Sequence, residues 1–250
     1  MPAWRDRLLD ALFPLDCVAC LQPVRGRTAA LGPLCEACRA TAAPPRPPLC
    51  PRCGVPLRSA GTAVEPETCG ACRAHPPAFA VARGAAVYAP ADARAGLVTA
   101  LHAFKYRGER TLARPLAALI TERLSIPHGV LVAPIPLHRT RLRERRYNQA
   151  ALLARALTER VPRPIALRAV VRRLPTAPQA GLDAAQRRAN LADAFAVACP
   201  EAIANRHVLL IDDVITTGAT ADACARAVLA GGAWRVDVYA VGRTPLEFHP

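Results

Sequence analysis

"VLLIDDVITTGAT" (residues 208–220) runs four aliphatic side chains into two adjacent carboxylates, then into threonines and one glycine, ahead of the helix-forming "ADACARAVLA" (221–230). The aliphatic run is the pattern of a strand buried in a sheet, and Asp212 and Asp213 stand at its carboxyl end. The following turn has little side-chain bulk and opens a helix. Such a turn offers backbone N–H groups and the positive end of a helix dipole, which together cradle a phosphate. Gly218 and Ala219 let a ligand come close, and Thr216, Thr217 and Thr220 add hydroxyl donors. Two carboxylates beside that cradle would repel a phosphate. They suit a vicinal diol, such as that of a ribose, or a metal held near it. Phosphate cradle and diol clamp side by side describe a 5-phosphoribosyl group. A Walker B strand would need G-x-x-x-x-G-K-[ST] elsewhere, and a dinucleotide fold would need G-x-G-x-x-G; the chain contains neither.

Around this stretch, strand and helix patterns alternate from residue 81 to 250. Strands are expected at 83–89, 129–137, 165–173, 207–213 and 234–242. Helices are expected at 91–106, 110–124, 147–161 and 219–231. That alternation predicts an α/β domain with a mostly parallel sheet flanked by helices, its ligand bound at the strands' carboxyl ends. "PLHRTRLRERRYNQ" follows one buried strand, so its arginines fall at the same sheet edge as the aspartates. Guanidinium forks there bind phosphate oxygens, and Arg139 and Arg145 are the candidates among five arginines. Lys105, the one lysine of the chain, is a candidate point charge for a diphosphate oxygen. It also ends a helix, where a cation is favoured in any case. Asn148 is a candidate helix cap. The long polar segment 174–194 has the length of a lid, with Thr176, Gln179, Arg187 and Arg188 as closing groups, or it folds as a small helix.

Residues 1–80 have a different composition. Eight of the ten cysteines lie here in four C-x-x-C pairs: Cys17/Cys20, Cys35/Cys38, Cys50/Cys53 and Cys69/Cys72. Tight turns of this kind aim two thiolates at one ion, and two such turns complete a tetrahedral set. The segment is rich in proline and poor in apolar periodicity, so a metal would supply its folding energy. Two structural zinc ribbons are expected, paired sequentially, with an interleaved pairing as the alternative. Trp4, Leu8, Leu9, Leu12 and Phe13 fall at helical spacing ahead of them. Cys224 reads as a small buried residue.

Net charge is +14, carried almost wholly by arginine. Such a balance suits anionic partners, polyphosphate or nucleic acid, although a compositional bias toward arginine would produce it too. No stretch is long and apolar enough to span a bilayer and no signal-peptide core is present, so a cytoplasmic location is expected.

"VLLIDDVITTGAT" resembles the phosphoribosyl-pyrophosphate signature of type I phosphoribosyltransferases. With four C-x-x-C pairs, "FKYRGER", "APIPLHRTRLRERRYNQA" and "TAPQAGLDAAQRRANLADAF" preceding it in that order, nearly the whole chain resembles the ComF family of competence-associated proteins. Arg146 and Tyr147 depart from it, standing where family members usually carry Gly and Phe. The resemblance implies a type I phosphoribosyltransferase-like domain behind a double zinc ribbon, with phosphoribosyl pyrophosphate and Mg²⁺ as ligands. It implies that Asp212 and Asp213 hold the ribose diol, that residues 216–220 hold the 5-phosphate, and that arginines with Lys105 hold pyrophosphate. Transfer to a nitrogenous acceptor is the activity implied, in the setting of DNA uptake. A non-catalytic module is the alternative, binding single-stranded DNA or competence-machinery proteins with phosphoribosyl pyrophosphate as effector. Oligomeric state is left open.

Overall fold

A computed structural model of the chain describes residues 15–24, 32–57, 68–91, 96–174 and 193–245. The amphipathic start at 1–14, and Thr176, Gln179, Arg187 and Arg188 of the expected lid, lie outside the described residues.

The main sheet has four strands: β1 (Val81–Val87), β2 (Leu131–Pro134), β5 (His207–Ile215) and β6 (Arg235–Arg243). Their order is β1-β6-β5-β2, and every pairing is parallel. Two short strands, β3 (Val170–Arg172) and β4 (Phe195–Val197), form a separate antiparallel pair. The run 165–173 therefore meets the main sheet only at Ile165, a single parallel bridge to Val132 of β2, and otherwise supplies the three-residue β3 outside it.

Both faces of the main sheet are covered, which is why its strands are aliphatic on consecutive residues. Leu209 and Ile211 of β5, with Tyr239 and Val241 of β6, pack toward α3 (Gly96–Tyr106), α4 (Ala113–Arg123) and α6 (Gln149–Arg160). Val208, Leu210, Val236 and Val238 pack toward α8 (Ala219–Ala230) and the β3–β4 pair. The alternation follows the strand period of two. Asn148 caps α6 through its side chain, which accepts from Ala150 N–H at 3.0 Å, as its sequence position suggested.

Each ribbon joins one of these cores. Cys17, Val24, Leu34 and Cys38 pack with α3 and α4, and Cys50, Cys53, Val55 and Cys72 pack with Phe79 and Ala82. The ribbons also meet the sheet edge. β6 is the one strand neighbour of β1 among the described residues. Ala82 N–H donates to Arg52 O at 2.6 Å and Val87 N–H to Ala43 O at 2.7 Å. On the first ribbon, docking leaves no room at Gly96. A Cβ there would stand 2.6 Å from the Cys38 Cβ and 2.9 Å from Cys38 backbone atoms. Gly96→Ala is expected to push the ribbon off α3 and lower stability by about 1–3 kcal/mol, measured by urea unfolding.

Candidate functional site

The four sulfurs of Cys17, Cys20, Cys35 and Cys38 lie within 4.8 Å of one another, and so do those of Cys50, Cys53, Cys69 and Cys72. The pairing is sequential, and His75 belongs to neither cluster. In each ribbon the first C-x-x-C pair sits in a hairpin knuckle, closed by the Asp16–Pro23 or Leu49–Pro56 bridge. The second pair opens a five-residue helix, α1 (Glu36–Ala40) or α2 (Gly70–Ala74), rather than the tight turn expected of it. Backbone N–H groups of Cys35 and Cys69 point at the Cys17 and Cys50 sulfurs at 3.4 Å. Burial raises the Cys17 and Cys50 thiols, but these bonds together with those from backbone N–H groups inside each knuckle outweigh it and bring both down to about 7. Burial and the neighbouring sulfurs push Cys38 and Cys72 up. Four thiolates this close need a cation among them. The Cys20–Cys35 and Cys53–Cys69 sulfur separations of 3.6 Å suit tetrahedral zinc, for which about 3.8 Å follows from Zn–S bonds of about 2.3 Å. Both sets fit structural zinc.

At the carboxyl ends of the strands, Asp212 and Asp213 lie within β5, which continues to Ile215 before it turns. Asp212 Oδ1 accepts from Asp213 N–H at 2.8 Å, and Asp213 Oδ1 accepts from Val214 N–H at 2.7 Å. Asp213 Oδ2 is left facing Lys105 Nζ at 3.3 Å. Lys105 ends α3, as its position suggested, and also lies 5.9 Å from the centre of the Tyr88 ring. Burial would lower its pKa, but the charges of Asp213 and Asp212 outweigh that and hold the ammonium protonated. Asp212 is pushed up to about 8, first by burial and then by the charge of Asp213.

The turn after β5 closes on Gly218, the left-handed N-cap of α8 with φ 87°. A residue with a Cβ would be strained there. Thr217 Oγ1 accepts from Ala219 N–H at 3.3 Å. The remainder of the stretch, Thr216 to Thr220, stands at least partly open to solvent. The turn is fixed from behind. Arg243, 2% exposed, donates to the carbonyls of Ile215 at 3.2 Å and Thr216, and Ala78 N–H donates to Asp222 Oδ1 at 2.7 Å.

On the other side of the acid pair is a basic cavity of about 380 Å³, lined by Lys105, Tyr106, Arg107, Gly108, Arg141, Glu144, Arg145 and Arg146. Of its lining, Arg107 follows the end of α3, Arg141 and Arg145 come from a helix, α5 (Arg139–Arg145), and Arg146 is the C-cap of that helix. His138 caps that helix, its ring accepting from Thr140 N–H at 3.3 Å. Arg141 and Arg145, four residues apart, therefore share a face, and Arg145 lies over the Tyr106 ring at 5.0 Å. Arg139 is exposed at the helix start and is absent from the cavity lining. Of the two favoured arginines, only Arg145 reaches the cavity. Arg141 was missed, and helical spacing was the signal that would have found it. Arg172 of β3 was missed too; burial and then the Arg141 charge lower its pKa, and Asp212 opposes both. Nothing local in "AVVRR" marks that side chain as a neighbour of the acid pair.

This arrangement can receive an anion in the cavity, hydroxyls or a divalent cation at the carboxylates, and a second anion at the turn. The comparisons with known proteins bear on it. A model of the double zinc ribbon domain matches residues 8–73. The DNA utilization protein YhgH of Escherichia coli O157:H7 is 31% identical over 205 residues, covering 78% of this chain and 84% of that protein. The chain belongs to the ComF family. Competence protein F of Haemophilus influenzae is 35% identical over 150 residues, which is 56% of this chain and 65% of that protein. Among solved structures, a Bacillus subtilis glutamine phosphoribosylpyrophosphate amidotransferase overlaps 58% of this chain and 27% of its own, at 16% identity and a TM-score of 0.33. A Trypanosoma cruzi hypoxanthine phosphoribosyl transferase overlaps 58% and 74%, at 14% identity and a TM-score of 0.31.

The two departures within this ComF chain have physical accounts. Arg146 adopts φ 64° at the C-cap of α5, a left-handed position that a glycine fills without strain. The Tyr147 hydroxyl, which a Phe would lack, donates to Phe104 O and ties α3 to the start of α6.

Asp212 carries a pH dependence. Its carboxyl titrates near 3.8 when unfolded and near 8 when folded, so the folded chain holds the extra proton between those values. Its contribution therefore turns unfavourable as pH rises from about 4 to about 8. Asp212→Asn is expected to match the parent near pH 4 and to exceed it by about 1–2 kcal/mol at pH 8, measured by denaturant unfolding without ligand.

Proposed function

We propose that this chain binds 5-phosphoribosyl 1-pyrophosphate at the carboxyl end of β5 and transfers its phosphoribosyl group to a nitrogenous acceptor. The observation that carries this is the placement of Asp212 and Asp213 between an open helix-capping turn and a basic cavity. In this reading the 5-phosphate rests on the turn Thr216–Thr220, the ribose diol on the carboxylates, and the diphosphate among Lys105, Arg141, Arg145 and Arg146. The turn follows the acid pair in the chain and Lys105 joins the acid pair to the cavity, an order that suits the groups of that molecule.

The carboxylates, with diphosphate oxygens, make a hard oxygen set that suits Mg²⁺, which would neutralise charge on the departing diphosphate. Lys105 lies between Asp213 and the cavity, so it can leave the carboxylate for a diphosphate oxygen. The C1–O bond breaks with its electron pair on pyrophosphate, and the cations of the cavity stabilise that charge. A nitrogen lone pair then forms the C1–N bond, and the proton displaced from nitrogen passes to solvent. The expected setting is cytoplasmic, where C-x-x-C thiolates stay reduced and available to metal.

A second reading is favoured by the net charge of +14 and by Trp234, 65% exposed with His207 packed 5.4 Å from it. There the chain is a non-catalytic module that handles single-stranded DNA alongside other competence proteins, with the phosphoribosyl ligand as effector. The names of the relatives, DNA utilization protein and competence protein, agree with either setting.

Titration calorimetry with phosphoribosyl pyrophosphate and Mg²⁺ is expected to show binding that Asp212→Asn weakens about 100-fold, or roughly 2.7 kcal/mol. An acceptor panel then separates the readings: pyrophosphate release with one nitrogenous base supports transfer. Binding without release, together with salt-dependent capture of single-stranded DNA, supports the module. Arg146→Gly is expected to raise stability by about 1 kcal/mol and to weaken pyrophosphate binding about fivefold, since it relieves the backbone and removes a cation from the cavity.

A further inference from the structure

Arg243 ends β6 and is 2% exposed, yet its guanidinium faces only carbonyl oxygens among the bonds described. Its Nη1 donates to Ile215 O at 3.2 Å, to Thr216 O and to Thr244 O at 3.0 Å, and its Nε donates to Cys53 O at 3.0 Å. Cys53 belongs to the knuckle of the second ribbon, while Ile215 and Thr216 enter the turn at which the sugar phosphate is placed. One buried side chain therefore spans a metal knuckle and that turn. It is held tightly in place. A Cβ on Gly84 would stand 2.5 Å from the Arg243 Cβ, so β1 packs directly against its stem.

The same ribbon reaches the turn by a second route. Arg52 Nη2 donates to Pro77 O at 2.8 Å, and Ala78 N–H donates to Asp222 Oδ1 in the first turn of α8 at 2.7 Å. The first ribbon makes no side-chain bond to the turn among the described residues. Its polar ties run from Arg39 to Glu122 at 2.7 Å, from Thr41 to the start of α3 at 3.0 Å and from Arg123 to Ala42 O, and it nears Arg243 only through backbone, where Val87, the β1 partner of Arg243, donates to Ala43 O at 2.7 Å.

We propose that Arg243 is a positioning residue that makes the shape of the 215–218 turn depend on metal in the second ribbon and not on metal in the first. The proposal rests on the phosphoribosyl reading of that turn. A buried guanidinium keeps its position only while its carbonyl partners do. If the Cys50–Cys53 knuckle opens, Arg243 loses the Cys53 carbonyl and its hold on Ile215 and Thr216 loosens. The phosphate cradle then has to be ordered at the ligand's cost, and affinity falls.

The test uses the full chain, with zinc content measured for each variant. Arg243→Lys keeps the charge but cannot span the same carbonyls. It is expected to weaken phosphoribosyl pyrophosphate binding about tenfold and pyrophosphate binding less than about twofold, because pyrophosphate alone sits in the cavity. Equal loss for both ligands would mark a merely structural role and overturn the proposal. Independently of any ligand, Cys50→Ser is expected to speed amide exchange across residues 214–219 about tenfold while β5 and β6 core amides keep their protection. Cys17→Ser is expected to lose its own zinc and change exchange at 214–219 by less than about twofold. Zinc loss in Cys50→Ser with unchanged exchange at 214–219 would overturn the coupling. Absence of phosphoribosyl pyrophosphate binding by the parent chain would instead overturn the reading of the turn, and the exchange measurements would still decide the coupling.

Discussion

Two adjacent acids on a strand buried on both faces cannot easily carry two charges in a medium that screens them poorly; Asp212 keeps its proton up to about pH 8, and Lys105 faces Asp213 at 3.3 Å. Its position is enforced from several directions. Gln149 Nε2 donates to Lys105 O at 3.3 Å, the Tyr147 hydroxyl holds Phe104 O, and Asn148 Nδ2 donates to Ile135 O at 3.0 Å just past β2. The ends of α3, α6, β2 and β5 thus form one closed circuit of contacts around the acid pair. The cavity exists because α5 is hung on that circuit between β2 and α6.

Much of this was legible in "VLLIDDVITTGAT". An aliphatic run, an acid pair and a small-residue turn predicted a buried parallel strand, a helix start and the sheet edge where a ligand belongs, and the fold agrees. The arginine segment was harder. Arg139 and Arg145 were the candidates there, chosen without the helical register that α5 imposes. Once His138 caps a helix, the four-residue spacing places Arg141 with Arg145 and leaves Arg139 in solvent. Arg172 and Arg243 carry no local signal at all. Each matters because of a strand it meets only after folding, and an isolated arginine in an arginine-rich chain looks like any other. The sequential cysteine pairing expected from the C-x-x-C spacing is the one the two sulfur clusters show.

Docking on the sheet changes what the ribbons are. A ribbon on a flexible tether could serve as a separate binding arm. Here the cysteine clusters sit at the rims of the two apolar cores: Cys17 and Cys38 are buried in one and Cys50, Cys53, Cys69 and Cys72 in the other, while Cys20 is exposed. Much of the apolar surface that the proline-rich segment cannot bury by itself is buried against the sheet.

The bonds from β1 to Arg52 and Ala43 have a consequence for behaviour outside the folded monomer. An uncovered strand margin is a template on which another chain can pair. The knuckle and the segment after the first ribbon occupy that margin, so the bound metals also act as a guard. Without zinc in the ribbons, β1 would stand as an open edge on which a second copy of the chain could pair.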